Sequence, residues 1–177
     1  MASGQAYRSR AAIWGHCDLP HRRAQRLRLG NQIFRAAVSF IKCCVANRVA
    51  VIGENPQSSL AWQTPQMRRL MSLDCSRAVV TDQCQHGTRW KKATRFASWF
   101  AGSPPSDLEW RCKPRGNICS RTSLPHVMLR GNVPGSGKSW TSQAEGYPAR
   151  LSTLLASWLC RAADASESSH LLSLIAR

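Results

Sequence analysis

The chain has 177 residues, 43% of them apolar, and 25 Lys and Arg against 9 Asp and Glu give a net charge of +16. That length suffices for one domain burying roughly 70% of its unfolded surface, and the apolar content excludes an obviously disordered polypeptide. No apolar run approaches the roughly 20 residues that span a bilayer, so no membrane partner is expected. The start, Met1 to Arg8, has no apolar centre of the kind a secretory signal needs; acid-poor and Arg-containing, it weakly resembles an organelle transit peptide. Without a secretory signal, the eight cysteines read as reduced thiols and the localisation as intracellular, nuclear or cytoplasmic. The basic excess is 20 Arg to 5 Lys, beside 7 Trp and only 2 Tyr. Translated GC-rich DNA has this composition, so a non-functional open reading frame stands as one alternative to any functional reading.

Residues 1–20 read as an N-terminal extension. The first element is a helix over about 22–47, where Leu27, Phe34, Val38, Ile41 and Val45 recur at three- and four-residue steps and define one apolar face. Gly30-Asn31 marks a candidate true start and Asn47 a stop, while Cys43 and Cys44 are expected as small buried hydrophobes. Val49 to Gly53, short and β-branched, reads as a buried strand that Glu54-Asn55-Pro56 ends. A second helix is expected from Pro65 to Ser72, and Ala78 to Thr81 as a second buried strand. Helix, strand, helix, strand is the grammar of an α/β sheet with parallel strands, so residues 21–100 are expected to form a partial, Rossmann-like α/β core. Residues 101–146, rich in Gly, Pro, Ser and Arg, read as a loop-rich basic segment. Residues 147–177 read as two amphipathic helices, about 149–161 and 165–175, the second capped by Asp164 or Ser166.

Charge is uneven. Residues 1–48 carry net +8 and residues 84–130 net +7, around a neutral centre. Such blocks attract phosphate backbones by counterion release, or are simply solvated basic faces. Within the second block Arg89, Trp90, Lys91, Lys92 and Arg95, with Phe96 and Trp99, interleave cations and aromatics as phosphate contact plus base stacking requires. The bland alternative is a half-buried strand with Phe96 and Trp99 inward and the cations outward.

In open α/β sheets ligands bind past the carboxyl ends of strands, which draws attention to Glu54 and Asn55: a carboxylate and a carboxamide there can read a base edge, and a protonated Glu can donate to a ring nitrogen. The order Glu54-Asn-Pro-x-Ser-Ser59, Trp62, Pro65, a strand, Asp82-Gln-Cys-Gln-His-Gly87 and Lys91-Lys-x-Thr94 continues with Cys119-Ser-Arg-Thr122, His126 and Tyr147-Pro-x-x-Leu151. Upstream stand Ile13-Trp14-Gly15, Leu19-Pro20 and Gly30-Asn31. Over about residues 9–157 this resembles the C-terminal half of a cytosine-5 DNA methyltransferase-like domain in its phage- and retroelement-associated branch. The resemblance implies a class I methyltransferase fold, S-adenosylmethionine and a flipped cytosine, with Glu54 as the residue that touches the cytosine ring. The family's nucleophilic Pro-Cys and Gly-rich cofactor loop precede the Glu-Asn segment; here no Pro-Cys occurs, and no strand followed by Gly-x-Gly. The chain therefore reads as no enzyme by itself, with Glu54 and Asn55 vestigial base contacts, and it would need a missing methyltransferase half to bind S-adenosylmethionine.

Cys84 and, in the loop-rich block, Cys112, Cys119 and His126 form a Cys₃His set suited to zinc, although the six-residue gaps between the last three exceed the usual two to four. Asn132 to Ser139 is one glycine short of a phosphate-binding loop, and Pro148 breaks any helix after it, so a Gly-Ser turn is expected. The sequence thus supports a truncated methyltransferase-like domain with residual nucleic-acid affinity and no cofactor of its own. The alternative of a different class is a small, basic, zinc-stapled nucleic-acid-binding module.

Overall fold

The computed structural model describes residues 7–175, and side chains as far as residue 165. Residues 1–6, on which most of the transit-peptide-like reading falls, lie outside it.

Helix α1 spans His21–Ala46, close to its expected bounds. Val38, Ile41 and Cys44 are its buried stripe, with Phe34 and Val45 packed beside them, as the three-and-four spacing requires. Gly30-Asn31 does not start the helix, which runs straight through it. Asn31 instead ties down the preceding segment, its Nδ2 donating to the Trp14 carbonyl at 2.8 Å and its Oδ1 accepting from the Arg8 guanidinium. Cys44 is buried but Cys43 is exposed, so one of the two thiols lies off the apolar stripe. Asn47 stops the helix as expected, its N–H and Nδ2 both donating to the Cys43 carbonyl, and Arg48 turns the chain with φ 55°.

Three strands follow: β1 (Val51–Pro56), β2 (Ser76–Asp82) and β3 (Ala93–Trp99), in the sheet order β1-β3-β2. Both pairings are antiparallel, with Glu54 opposite Phe96 and Val79 opposite Phe96 on the other edge. The class is mixed α/β as expected, but the parallel, Rossmann-like pairing of the first two strands is corrected. β1 and β2 do run the same way, since each opposes β3, yet β3 lies between them and takes all their ladder bonds. A short apolar run marks a buried strand without encoding its partner's direction, and the third run, Phe96 to Trp99, fills the gap. A second correction concerns Glu54-Asn55-Pro56, which lies inside β1 rather than beyond it. Pro56 occupies the last position of an edge strand, where a missing N–H is tolerated.

Between β1 and β2, helix α2 (Pro65–Met71) starts as expected, with Pro65 in the first turn and the Thr64 hydroxyl accepting from the Met67 N–H. After β3, residues 100–148 are mostly turns, with a 3₁₀ turn at Ser106–Glu109 and one turn of α-helix, α3 (Trp140–Gln143). The near-miss phosphate loop is such a turn, closed by an Asn132–Ser139 bridge and left-handed Gly135 and Gly137. Helix α4 (Ala149–Ile175) is continuous, correcting the expectation of two helices: Asp164 and Ser166 lie within it, and no Gly or Pro interrupts good helix formers there.

Helices cover both faces of the sheet. Val38, Ile41 and Cys44 of α1 and Met67 and Leu70 of α2 pack with Val51, Trp62, Ala97 and Trp99 on one face. Leu151, Trp158 and Ala162 of α4 pack with Val79, Phe96, Ala101 and Leu108 on the other. Phe96 and Trp99 are both buried but, three apart on a strand, they serve opposite cores rather than one inward face. The indole N–H of Trp99 donates to the Leu70 carbonyl at 2.8 Å, and that of Trp158 to the Ala101 carbonyl. Trp99 therefore locks α2 to β3. We predict that Trp99→Ala lowers stability by about 3–5 kcal/mol. Trp99→Phe, which keeps a ring and loses the hydrogen bond, should cost roughly 1–2 kcal/mol more than a conservative core swap. Urea unfolding curves distinguish the two, and a Trp99→Phe loss no larger than that of a conservative core swap would mean that the indole N–H contributes nothing.

Candidate metal centre and basic groove

The loop-rich segment gathers the four residues that the spacing left doubtful. The ligand atoms of Cys84, Cys112, Cys119 and His126 all lie within 4.8 Å of one another, and all four side chains are buried. Cys84 sits in the 3₁₀ turn Gln83–His86 that closes β2, where left-handed Gly87 reverses the chain. Cys119 and His126 are brought together by a small hairpin: His126 N–H donates to the Asn117 carbonyl at 2.8 Å and Asn117 Nδ2 donates back to the His126 carbonyl at 2.9 Å. The Cys112 and Cys119 sulfurs are 3.9 Å apart, and Cys112 Sγ is 3.6 Å from His126 Nε2. All are free thiols. Burial raises the Cys84 pKa to about 12. Burial also acts to raise that of Cys119, but the N–H groups of Thr122 and Arg121 hydrogen-bond its sulfur and carry it down to about 6. Such a group could bind a metal ion such as zinc.

Asp82 holds this region to the sheet. It is fully buried, and its Oδ2 accepts from the Cys112 N–H at 2.8 Å and from Arg111 Nε at 3.1 Å, with Lys91 Nζ 4.0 Å away. Its own N–H donates to the Trp110 carbonyl. Next to it the Thr81 hydroxyl donates to the Trp110 carbonyl at 3.0 Å and lies 2.7 Å from His86 Nε2. A hydroxyl has one proton, so His86 Nε2 carries the hydrogen of that second bond. His86 Nδ1 is then a buried acceptor with no partner. Burial, then Arg150 and Arg121, push the His86 pKa down.

The two residues read as a base-contacting pair do not act together. Adjacent strand positions face opposite ways. Asn55 accepts from the Ser59 hydroxyl and lines a cavity of about 420 Å³ with Trp14, Asn31 and Phe34. Glu54 faces the α4 side, where Tyr147 lies 6.4 Å from the Phe96 ring. Burial, then the charge of Glu54 and a hydrogen bond with it, raise the Tyr147 pKa. Glu54 Oε1 is buried with no partner.

The five cation–aromatic candidates are similarly divided. Arg89 and Lys91 are exposed. Lys91 Nζ donates to the Cys112 carbonyl and Lys92 Nζ to the Ala144 carbonyl. The Trp90 indole donates to Gln83 Oε1 at 3.2 Å. Arg95 stacks over Trp62 at 5.6 Å on the face of the sheet away from α4. Arg89 and Trp90 instead share a cleft of about 600 Å³ with His86, Tyr147 and Arg150. Arg150 lies 4.5 Å over the Trp110 ring and bonds Asp107 at 2.9 Å, and Arg121 approaches the same ring. Arg121, Arg150 and His86 were not legible as site residues, being far apart in sequence; Asp82 carried a signal, as an acid at a strand end in an acid-poor chain.

Comparison with protein-family models, curated proteins and solved structures finds no match. Among the described residues, no helix is long and apolar enough to cross a membrane.

The contrast between Asp82 and its partner is testable. Asp82→Ala strands the buried Cys112 N–H and should cost about 1–3 kcal/mol. Arg111→Ala removes a side chain 39% exposed and should cost under about 1 kcal/mol. Denaturant midpoints of the two variants decide, and equal losses would mean that the ion pair, not the buried acceptor, holds the segment.

Proposed function

We propose that the chain is the C-terminal half of a cytosine-5 methyltransferase-like domain that holds nucleic acid and catalyses nothing alone. The observation that carries this reading is the place of Glu54: mid-strand on the edge of the sheet, one carboxylate oxygen buried and unpartnered, beside Tyr147, which also lines the Arg89–Trp90–Arg150 cleft. A base-contacting carboxylate needs an oxygen that no protein group has taken, next to a pocket with aromatic walls. S-adenosylmethionine and the nucleophile would come with a separate segment carrying the family's Pro-Cys and cofactor loop. The buried Cys₃His cluster favours the second reading, a basic module stapled by zinc, and the two are compatible: a zinc-stapled loop can frame the cleft of a methyltransferase half.

Nucleic-acid contact through the cleft makes a quantitative prediction. Affinity should fall by roughly 10³-fold between 50 and 200 mM salt for about six phosphate contacts. Replacing Arg89 and Arg150, the two cations lining the cleft, with Ala should flatten the log–log salt slope by about 1.8, whereas replacing Arg68 and Arg69 on α2, an equal charge loss elsewhere, should leave it nearly unchanged. Trp90→Ala should weaken single strands more than duplex, because only unpaired bases stack freely. Fluorescence-anisotropy salt series read all three. Equal slopes for the two double variants would reduce the interaction to general charge. Isothermal titration should find no micromolar S-adenosylmethionine affinity, and finding it would refute the half-domain reading.

A further inference from the structure

We propose that Cys84, Cys112, Cys119 and His126 are a structural Zn²⁺ site that fastens residues 110–127 to the end of β2. The first argument is geometric. Tetrahedral zinc with Zn–S near 2.3 Å and Zn–N near 2.05 Å sets sulfurs about 3.8 Å apart and sulfur and nitrogen about 3.6 Å apart. The Cys112–Cys119 and Cys112–His126 separations are 3.9 and 3.6 Å. A disulfide would need sulfurs at about 2.05 Å and would leave the third thiol and the imidazole unexplained.

The second argument is what this segment buries. Across residues 110–127 the only buried side chains are Cys112, Cys119 and His126. Eighteen residues with no apolar core of their own are ordered around four ligand atoms, three of theirs and one from Cys84. A stretch that cannot stabilise itself by burial needs another source of order, and a structural metal supplies it.

The third argument is the surroundings of the sulfurs. The Ser120 N–H and hydroxyl both reach Cys112 Sγ at 3.5 Å, Gln85 Nε2 reaches Cys84 Sγ at 3.7 Å, and the Cys119 sulfur accepts from backbone N–H groups of the turn that follows it. Thiolates bound to a metal keep lone pairs that outer hydrogen bonds orient, whereas a cluster of neutral thiols packed as hydrophobes has no use for donors. Four protein donors leave no open coordination position, so the site is structural rather than catalytic.

The test uses the full chain purified without chelator. Elemental analysis should find about one zinc per chain, as closed four-ligand sites hold. Cobalt substitution should give the intense visible bands of tetrahedral thiolate coordination. Chelation should make the bonds after Arg111, Arg115 and Arg121 cleavable by trypsin while the sheet stays folded. Cys112→Ser should lose the metal, and Cys17→Ser with Cys160→Ser, at exposed positions away from the cluster, should keep it. Should Cys112→Ser fail to fold, Cys119→His preserves four ligands and should keep zinc while shifting the cobalt spectrum. A folded chain without stoichiometric zinc, iron in its place, full zinc content in Cys112→Ser, or the same tryptic pattern with and without chelator overturns the proposal. None of these readouts involves nucleic acid or S-adenosylmethionine, so the site stands or falls separately from the methyltransferase reading.

Discussion

The fold depends on β3 being enclosed on four sides. It has a hydrogen-bonded neighbour along each edge and a helical layer against each face. A strand so placed must present large apolar groups both ways, and Phe96 and Trp99 do so, each nearly inaccessible to solvent. The two cores therefore share one backbone. The helices of one face, α1 and α2, cannot be displaced without disturbing the strand on which α4 rests. Arg95 is the charged exception within this strand, and it is accommodated with its guanidinium over the Trp62 ring.

From β2 outward the source of order changes. Hydrophobic burial holds 51–101 together. Across residues 110–127 the chain is held instead by a buried carboxylate, a few backbone pairs and a set of sulfurs, before α4 returns to the apolar core. Asp82 is the hinge between the two regimes: it ends a strand of the apolar core, and its carboxylate receives the first residues of the loop-rich segment. Neighbouring groups repeat the same task, since Thr81 and the Asp82 N–H both meet the Trp110 carbonyl. The +7 of residues 84–130 is compatible with this because its exposed cations surround few buried groups, and the buried acid lies where two of them, Lys91 and Arg111, approach it.

What the sequence made legible follows from what periodicity encodes. The α1 stripe, the Pro65 start of α2 and the Asn47 stop are local features, set by residues within a turn or two of one another, and they appear where expected; the β-branched runs mark strands but not their ends, since β1 begins at Val51 and leaves Val49 exposed. Strand direction is not local. The same Val-Val-Thr run serves a parallel or an antiparallel ladder, and the decision was made by Phe96 and Trp99, whose strand could equally be read as a nucleic-acid-binding surface. Glu54 and Asn55 illustrate the same limit: adjacency suggested a pair, but once the tripeptide lies inside a strand, the pleat sends the two side chains into different layers. The Cys₃His set was visible as composition and doubtful as spacing. Its six-residue gaps become reasonable when a hairpin folds Cys119 and His126 back on each other, and Cys84 joins through Asp82, two residues before it.

The charge pattern can be taken one step further. Two of the cations in the 89–92 run donate to backbone carbonyls of distant loops, Lys91 to Cys112 and Lys92 to Ala144. Those bonds use the ammonium groups to order the loops rather than to meet a ligand. The cleft regains positive charge from elsewhere: Arg150 arrives at the start of α4, and Arg121 from the Cys119 hairpin, both approaching the Trp110 ring. The basic character of the cleft is thus a property of the tertiary fold rather than of one sequence block. Arg89 and Arg150 line it from two separated segments, and Arg121 stands nearby on a third, which the cysteine cluster positions. Any ligand drawn by this charge therefore meets a surface whose shape depends on the least hydrophobic part of the molecule, which makes the order of residues 110–127 a precondition for recognition.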